Sequence, residues 1–341
     1  MGFISMIDSK KEALERIRRF PSVRLLVLGD VFLDTYLDCR ALGVANEAPV
    51  PLLAVSRETS FPGGAANVAL NLARLGVQTH LIGVVGKDSE AHILAQLLRE
   101  ARVSFYPIEA SSPTIRKTRV LSQNHYYLRL DEEDESALAS EILEQLLETT
   151  GEVLPNADLV VISDYNKGLF TAHSIATLEN LFAEFKLKIL ADLKPLNISA
   201  WRHLDLITPN LSEALAIYSQ VAGSDPGPVS NSRMAEDLST LLNCDVILKL
   251  GSDGMIAASQ GRCLARFPAL GDVIRNSSGA GDSVLATIAA VLACAGSLAE
   301  AAGLASVAAG IAVSHEGTYG ASSDELIRAV EGIKGTLDSM A

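Results

Sequence analysis

Val23-Arg24-Leu25-Leu26-Val27-Leu28-Gly29-Asp30 is a short apolar run closed by a glycine and a carboxylate. A strand covered on both faces reads as a near-continuous apolar run, whereas a half-exposed one alternates. The segment therefore predicts an inner strand of a parallel sheet. In such sheets ligands gather beyond the carboxyl ends of the strands, which places Gly29-Asp30 at a site. Working outward, similar runs recur at 80–85, 159–163, 188–192, 206–208 and 246–250, with paired strands around 255–267. Helical patterns fall between them at 63–75, 89–99, 172–185 and after Asn210. This alternation predicts a doubly wound, mainly parallel, Rossmann-like α/β sheet. Two extended insertions, at about 35–61 and 105–130, break the alternation early and are expected to pair as a small β-sheet lid over the site. No repeat or low-complexity linker divides the chain, so 1–341 reads as a single domain.

With 341 residues, 48% of them hydrophobic, the chain can bury a large core. Its formal net charge of -13 argues against a nucleic-acid partner, because binding a phosphate backbone requires a basic face. An anionic ligand must instead meet a local group of Arg, Lys or backbone amides. Cys39, Cys244, Cys263 and Cys294 lie far apart without metal-site spacing and read as reduced thiols. The segment from Met1 to Phe20 mixes both charge signs at helical spacing, as a surface helix of a cytoplasmic protein does. The longest apolar stretch, Ser283 to Gly296, is too short for a membrane span and predicts a buried helix.

Gly279-Ala280-Gly281-Asp282 opens that helix. Small residues at a helix N-terminus let backbone N–H groups approach an anion, and the helix dipole favours negative charge there. Asp282, in the first turn, is placed to accept a hydroxyl proton during phosphoryl transfer. Alone, the segment reads sooner as a glycine turn with an acidic cap. Gly63-Gly64-Ala65-Ala66-Asn67 forms a second glycine turn ahead of a helix, with Asn67 offering a donor and an acceptor. Asp30 and Asp34 suit sugar hydroxyls, or turn capping. Asn210 and Glu213 bring an amide and a carboxylate together, and also fit an ordinary capping box. Arg116, Lys117, Arg119 and Arg129 gather positive charge in the lid, with Lys117 and Arg119 on one strand face and Arg116 on the other. They suit a phosphate already on the substrate, or a solvated edge strand. Lys167, in Asp164-Tyr165-Asn166-Lys167-Gly168, reads as a phosphate contact or a loop cap.

In this order, Gly29-Asp30, Gly63 to Asn67, Asn210 to Glu213 and Gly279 to Asp282 resemble the pfkB/ribokinase carbohydrate kinases over nearly the whole chain. Further segments look closest to the D-glycero-β-D-manno-heptose 7-phosphate kinases: Glu47-Ala48-Pro49-Val50-Pro51, Arg119-Val120-Leu121-Ser122, Arg129-Leu130-Asp131 and Ser163-Asp164-Tyr165. The resemblance implies phosphorylation of a sugar phosphate at its C1 oxygen from ATP and Mg²⁺, and a homodimer formed through the β lid. It makes Asp282 the base and the amides of Gly279, Ala280 and Gly281 an anion hole. It places Asp30, Gly63, Gly64 and Asn67 around the sugar, and the readings of Asp34, Lys167 and the basic lid are consistent with further contacts to a sugar phosphate. It sets Asn210, Glu213 and Lys194 toward the Mg-bound phosphates, and Ser252, Gly254, Gly281 and His315 in the nucleotide pocket.

This sequence departs from the pattern in three places. Asn276 and Ser278 replace the usual Asp and Thr ahead of the glycine motif, which removes a hard oxygen ligand, or its support, from a monovalent-cation site. Asp192-Leu193-Lys194-Pro195 stands for the usual Asp-Pro-Lys-Gly, and no His-x-Gly-His follows, so only the kinase half is expected. The alternatives are a pfkB-type kinase of another sugar or nucleoside, and a silent nucleotide-binding relative.

Overall fold

The computed structural model describes residues 10–123, 125–133, 138–223, 227, 229–270, 279–315 and 317–333. The opening run forms β1 (Arg24–Gly29), and along the chain follow β2 (Val31–Val44), β3 (Pro51–Gly64), β4 (Gln78–Val85), β5 (Ser104–Glu109), β6 (Arg116–Ser122) and β7 (His125–Glu132). Then come β8 (Leu159–Ser163), β9 (Ile189–Asp192), β10 (Leu206–Ile207), β11 (Asp245–Lys249), β12 (Met255–Ser259) and β13 (Arg262–Phe267). They make a nine-stranded sheet, β13-β12-β11-β10-β9-β8-β1-β4-β5, and a separate four-stranded sheet, β3-β2-β6-β7. The large sheet is parallel from β5 to β11 and turns antiparallel at β12 and β13.

The side chains of β1 show why its sequence lacks alternation. Leu25 and Val27 enter one core, against α1 (Lys10–Arg19), α2 (Ala65–Arg74), α3 (Ser89–Glu100), α8 (Ala280–Ala293), α9 (Leu298–Val313) and α10 (Ser323–Gly332). Leu26 and Leu28 enter the other, beneath α4 (Ser140–Val153), α5 (Ala172–Phe185), α6 (Leu211–Ala222) and α7 (Asn231–Leu241). All four are fully buried, and each contributes roughly 1.5–3 kcal/mol by leaving water. A charge on either face would disrupt one of the two cores.

The second sheet is smaller than the predicted insertions at one end. Residues 105–109, expected within it, belong to β5, which pairs in parallel with β4 at the edge of the large sheet. An edge strand tolerates Pro107, and its half-exposed pattern hid its membership of the main sheet. In the second sheet β2 runs antiparallel to β3 and parallel to β6, and β6 runs antiparallel to β7. Among the described residues no helix is long and apolar enough to cross a membrane. Cys39, Cys244 and Cys294 are buried free thiols, and Cys263 is an exposed one.

Candidate active site

The carboxyl ends of β1, β8, β9 and β11 meet the N-termini of α2 and α8 in one place. Gly64, at φ +59°, lets β3 turn into α2: a Cβ there would stand 2.3 Å from the Asp30 carbonyl oxygen. Gly279, at φ +78°, leads into α8, and a Cβ would fall 2.7 Å from Asn67 Nδ2 and 2.8 Å from Thr318 Cγ2. Both glycines sit where a left-handed backbone and a close approach coincide. The two helix starts are thereby pressed together, and Asn67 and Asp282 meet.

Asp282 is buried, and both carboxylate oxygens accept hydrogen bonds: Oδ2 from Asn67 Nδ2 at 2.6 Å and Oδ1 from the Tyr165 hydroxyl at 3.2 Å. Burial pushes its pKa up to about 7, and nearby Asp192 adds to the rise. The Asn67 and Tyr165 bonds and the Lys249 charge oppose it. The result is a carboxyl held in one orientation that exchanges its proton near neutrality, as suits a general base. Asp30 is likewise pushed up to about 7 by burial and by Asp164, against the amides of Tyr165 and Lys167. Its Oδ2 accepts those two N–H groups, at 2.7 and 3.2 Å, so it pins the loop that carries Tyr165.

The face of the second sheet nearest this centre is charged. Lys117 is buried with its ammonium 4.6 Å from the Phe32 ring, which packs edge-on against Tyr165 at 5.2 Å. Burial lowers the Lys117 pKa, with Asp131 and Glu133 opposing. Arg119 pairs with Asp34 and lies 5.2 Å from the Tyr36 ring. Arg129, opposite Arg119 in the register, is exposed and holds Asp131 at 2.7 Å. Lys167 reaches across from the large sheet to Glu133 at 2.7 Å. Asp131, on β7, and Glu133, just beyond it, are thus both ion-paired here. Arg116 leaves the group: it points to the other face of β6 and binds Glu90 at 3.1 Å and Glu132 at 3.3 Å. Strand alternation dictates that separation.

On the other side of Asp282 opens a pocket of about 240 Å³ lined by Lys249, Ser252, Gly254, Ala280 and Gly281, with Met255, Val284 and Val313 supplying apolar walls. His315 is not among its lining residues. It stacks on Tyr319 at 3.8 Å, and Arg74 lies 4.7 Å from that ring. Asn210 and Glu213 form a complete capping box at the start of α6, with bonds of 2.9 Å each way. The second carboxylate oxygen of Glu213 receives Lys194 at 2.7 Å. Burial works against its ionisation, yet the Asn210 amide and the Lys194 ammonium hold its carboxyl below the usual range. Asn276 and Ser278 lie outside the described residues. The structure adds three side chains to this centre that had no assigned part: Tyr165, Asp192 and Lys249. A Lys at the carboxyl end of a buried parallel strand was the available signal for the last, since ligand sites form there.

This architecture, with a glycine-led helix start and a second sheet beside it, is that of a ribokinase-like kinase. Residues 24–325 match the pfkB family carbohydrate kinases. The chain belongs to that family, whose members transfer a phosphoryl group to a sugar hydroxyl. It is 38% identical over 327 residues to the bifunctional protein HldE of Pseudomonas aeruginosa, covering 93% of this chain and 66% of that one. With HldE of Chromohalobacter salexigens the identity is 37%, covering 91% and 64%. The chain thus spans just under two thirds of the length of these relatives. Among solved structures it resembles Escherichia coli phosphofructokinase-2 in complex with potassium, with TM-score 0.77 and 21% identity over 91% of this chain and 98% of that one. Arabidopsis thaliana ribokinase complexed with ribose and ATP gives TM-score 0.69 and 17% identity over 91% and 99%. These structural likenesses concern the fold.

Proposed function

We propose that the chain transfers the γ-phosphoryl group of ATP to a sugar phosphate, with D-glycero-β-D-manno-heptose 7-phosphate as acceptor and its C1 oxygen as nucleophile, giving the 1,7-bisphosphate. The observation that carries this reading is the position of Asp282. It is fixed by Asn67 and Tyr165 between a pocket on one side and a cationic sheet face on the other. The anomeric hydroxyl gives its proton to Asp282 as its oxygen attacks phosphorus, and the amides of Gly279, Ala280 and Gly281 face the charge that develops. Asp34, Gly63, Gly64 and Asn67 bound the sugar, with Asp30 holding the Tyr165 loop. Lys117, Arg119, Arg129 and Lys167 receive the phosphate already present, displacing internal carboxylates as it binds. The 37–38% identity to the HldE proteins supports a heptose phosphate.

The pocket lined by Ser252 and Gly254 takes the adenosine end of ATP. Among the described residues no group of three or more acidic, His or Cys side chains forms a metal cage. That fits Mg²⁺, which keeps several waters and binds through one or two carboxylates plus phosphates. Glu213, Asn210 and Lys194 would stand toward it, and the ion would neutralise phosphate charge. The second sheet carries exposed apolar side chains at Leu42, Val44, Leu52, Val55, Leu128 and Leu130, the surface on which we place a homodimer contact.

The test is an ATP-coupled assay across free sugars and sugar phosphates that includes heptose 7-phosphate, run on the wild type and on Asp282→Asn. Turnover is expected with the heptose phosphate. In the variant kcat should fall by roughly 10³-fold or more at unchanged fold. Full turnover in the variant would sink the base assignment, and preference for an unphosphorylated sugar would sink the acceptor.

A further inference from the structure

We infer that Lys249 touches the phosphoryl group in flight, bridging the donor pocket and the base, and that Asp192 holds it there. Four observations converge on this residue. Its Nζ would lie 3.6 Å from a Cβ on Gly281, so the ammonium sits beside the first turn of α8. Its side chain lines the pocket that also contains Ser252, Gly254 and Ala280. Asp192 Oδ2 accepts from Nζ at 2.7 Å, and only about 15% of the lysine side chain is exposed. Its backbone N–H donates to the Pro209 carbonyl at 2.8 Å, and a bridge to Asn210 brings the start of α6 alongside. Lys249 therefore stands where the pocket, the glycine turn before Asp282 and the capping box of Glu213 meet.

The charges around it explain what an ammonium is for at this point. Asp282, Asp192 and Glu213 crowd the rim, and Lys194 is engaged by Glu213. Without Lys249 a polyphosphate would approach a surface of buried carboxylates and be repelled. In the transfer, resting on the function proposed above, the acceptor oxygen bonds to the γ-phosphorus while the bond from that phosphorus to the β–γ bridging oxygen breaks. The acceptor proton passes to Asp282, and the leaving diphosphate carries the negative charge. Lys249 donates hydrogen bonds to the oxygens on which that charge appears. A preorganised donor aimed at developing charge is typically worth about 10²–10³ in kcat. Asp192 fixes the lysine rotamer, so the donor needs no reorganisation.

Lys249→Met, Lys249→Arg and the double variant Lys249→Met/Asp192→Asn test this in the full chain. The double variant removes both charges and avoids a stranded buried carboxylate if the single one fails to fold. In Lys249→Met, or the double variant, kcat should fall by roughly 10²-fold or more with KM for the sugar phosphate nearly unchanged, and Arg should restore part of it. Independently of turnover, calorimetry in the Asp282→Asn background should show binding of a non-hydrolysable ATP analogue weakened about tenfold or more, with adenosine binding retained. Wild-type kcat together with wild-type analogue affinity would overturn the assignment. Loss of adenosine binding as well would also overturn it, by making the lysine a structural support of the pocket. Because the binding arm contains no working base, it judges Lys249 even if the assignment of Asp282 fails.

Discussion

The rim of the nine-stranded sheet and the face of the four-stranded sheet are built on different principles. At the rim the key groups are buried and held by fixed partners: Asp282 by the Asn67 and Tyr165 side chains at a helix start, Asp30 by two loop amides, Glu213 in a capping box. On the smaller sheet the charges are long side chains paired with one another, Arg119 with Asp34, Arg129 with Asp131 and Lys167 with Glu133. The first arrangement is rigid because two cores press the strands and helix starts together. In the second, the half-exposed Arg129–Asp131 pair contributes little, of order 1 kcal/mol or less, whereas Arg119–Asp34 is largely buried. The proposed function places chemistry on the rigid rim and selection of the acceptor on the charged face.

Acidity gives the sharpest means of separating the two regions. If Asp282 must be ionised, kcat/KM should fall about tenfold per pH unit below a midpoint near the value of about 7 to which burial pushes it. A carboxyl whose folded pKa lies above its unfolded value, about 4, takes up its proton first in the folded state. The folded state is therefore favoured at low pH and loses that contribution as pH rises from about 4 through 7. Asp282→Asn should accordingly melt roughly a few degrees higher than the wild type at pH 8 and lose the advantage by pH 4, measured by calorimetry. A pH-independent rate between 5 and 8 would contradict the assigned role.

A smaller effect is expected from the charged face. Arg119→Gln should raise KM for the sugar phosphate roughly tenfold while leaving kcat within a few-fold, because a phosphate contact is lost and the base is untouched. Arg116→Gln, on the opposite face with Glu90 and Glu132, should change KM less than about twofold. Equal effects from the two would erase the distinction between the faces. The smallest change in catalysis is expected from Leu128→Glu, on the exposed apolar surface of β7. It should shift sedimentation toward the monomer with turnover per chain within about twofold. An unchanged sedimentation coefficient would remove that surface as the contact.

How far the sequence could be read depended on how local the signal was. The β1 run displayed its two-sided burial directly, and Gly63 to Asn67 and Gly279 to Asp282 marked helix starts through residues only those turns admit. The Lys117, Arg119 and Arg116 faces followed from strand alternation. Asn210 and Glu213 remained ambiguous because a capping box and a phosphate site use the same two residue types, and the capping box is formed.

What the sequence determined by itself, then, is the α/β class, the glycine turns and the carboxylate at the head of α8. These depend on periodicity and backbone conformation within a few residues. Only the tertiary structure decided that Tyr165 bonds Asp282, that Lys249 and Asp192 pair beside Gly281, that His315 stacks on Tyr319 away from the pocket, and that β5 joins the large sheet. Tyr165 and Asp282 are 117 positions apart, and Lys249 and Asp192 are 57 apart. No local pattern encodes such a meeting: strand order and helix packing bring these side chains together, and their burial then sets their charge.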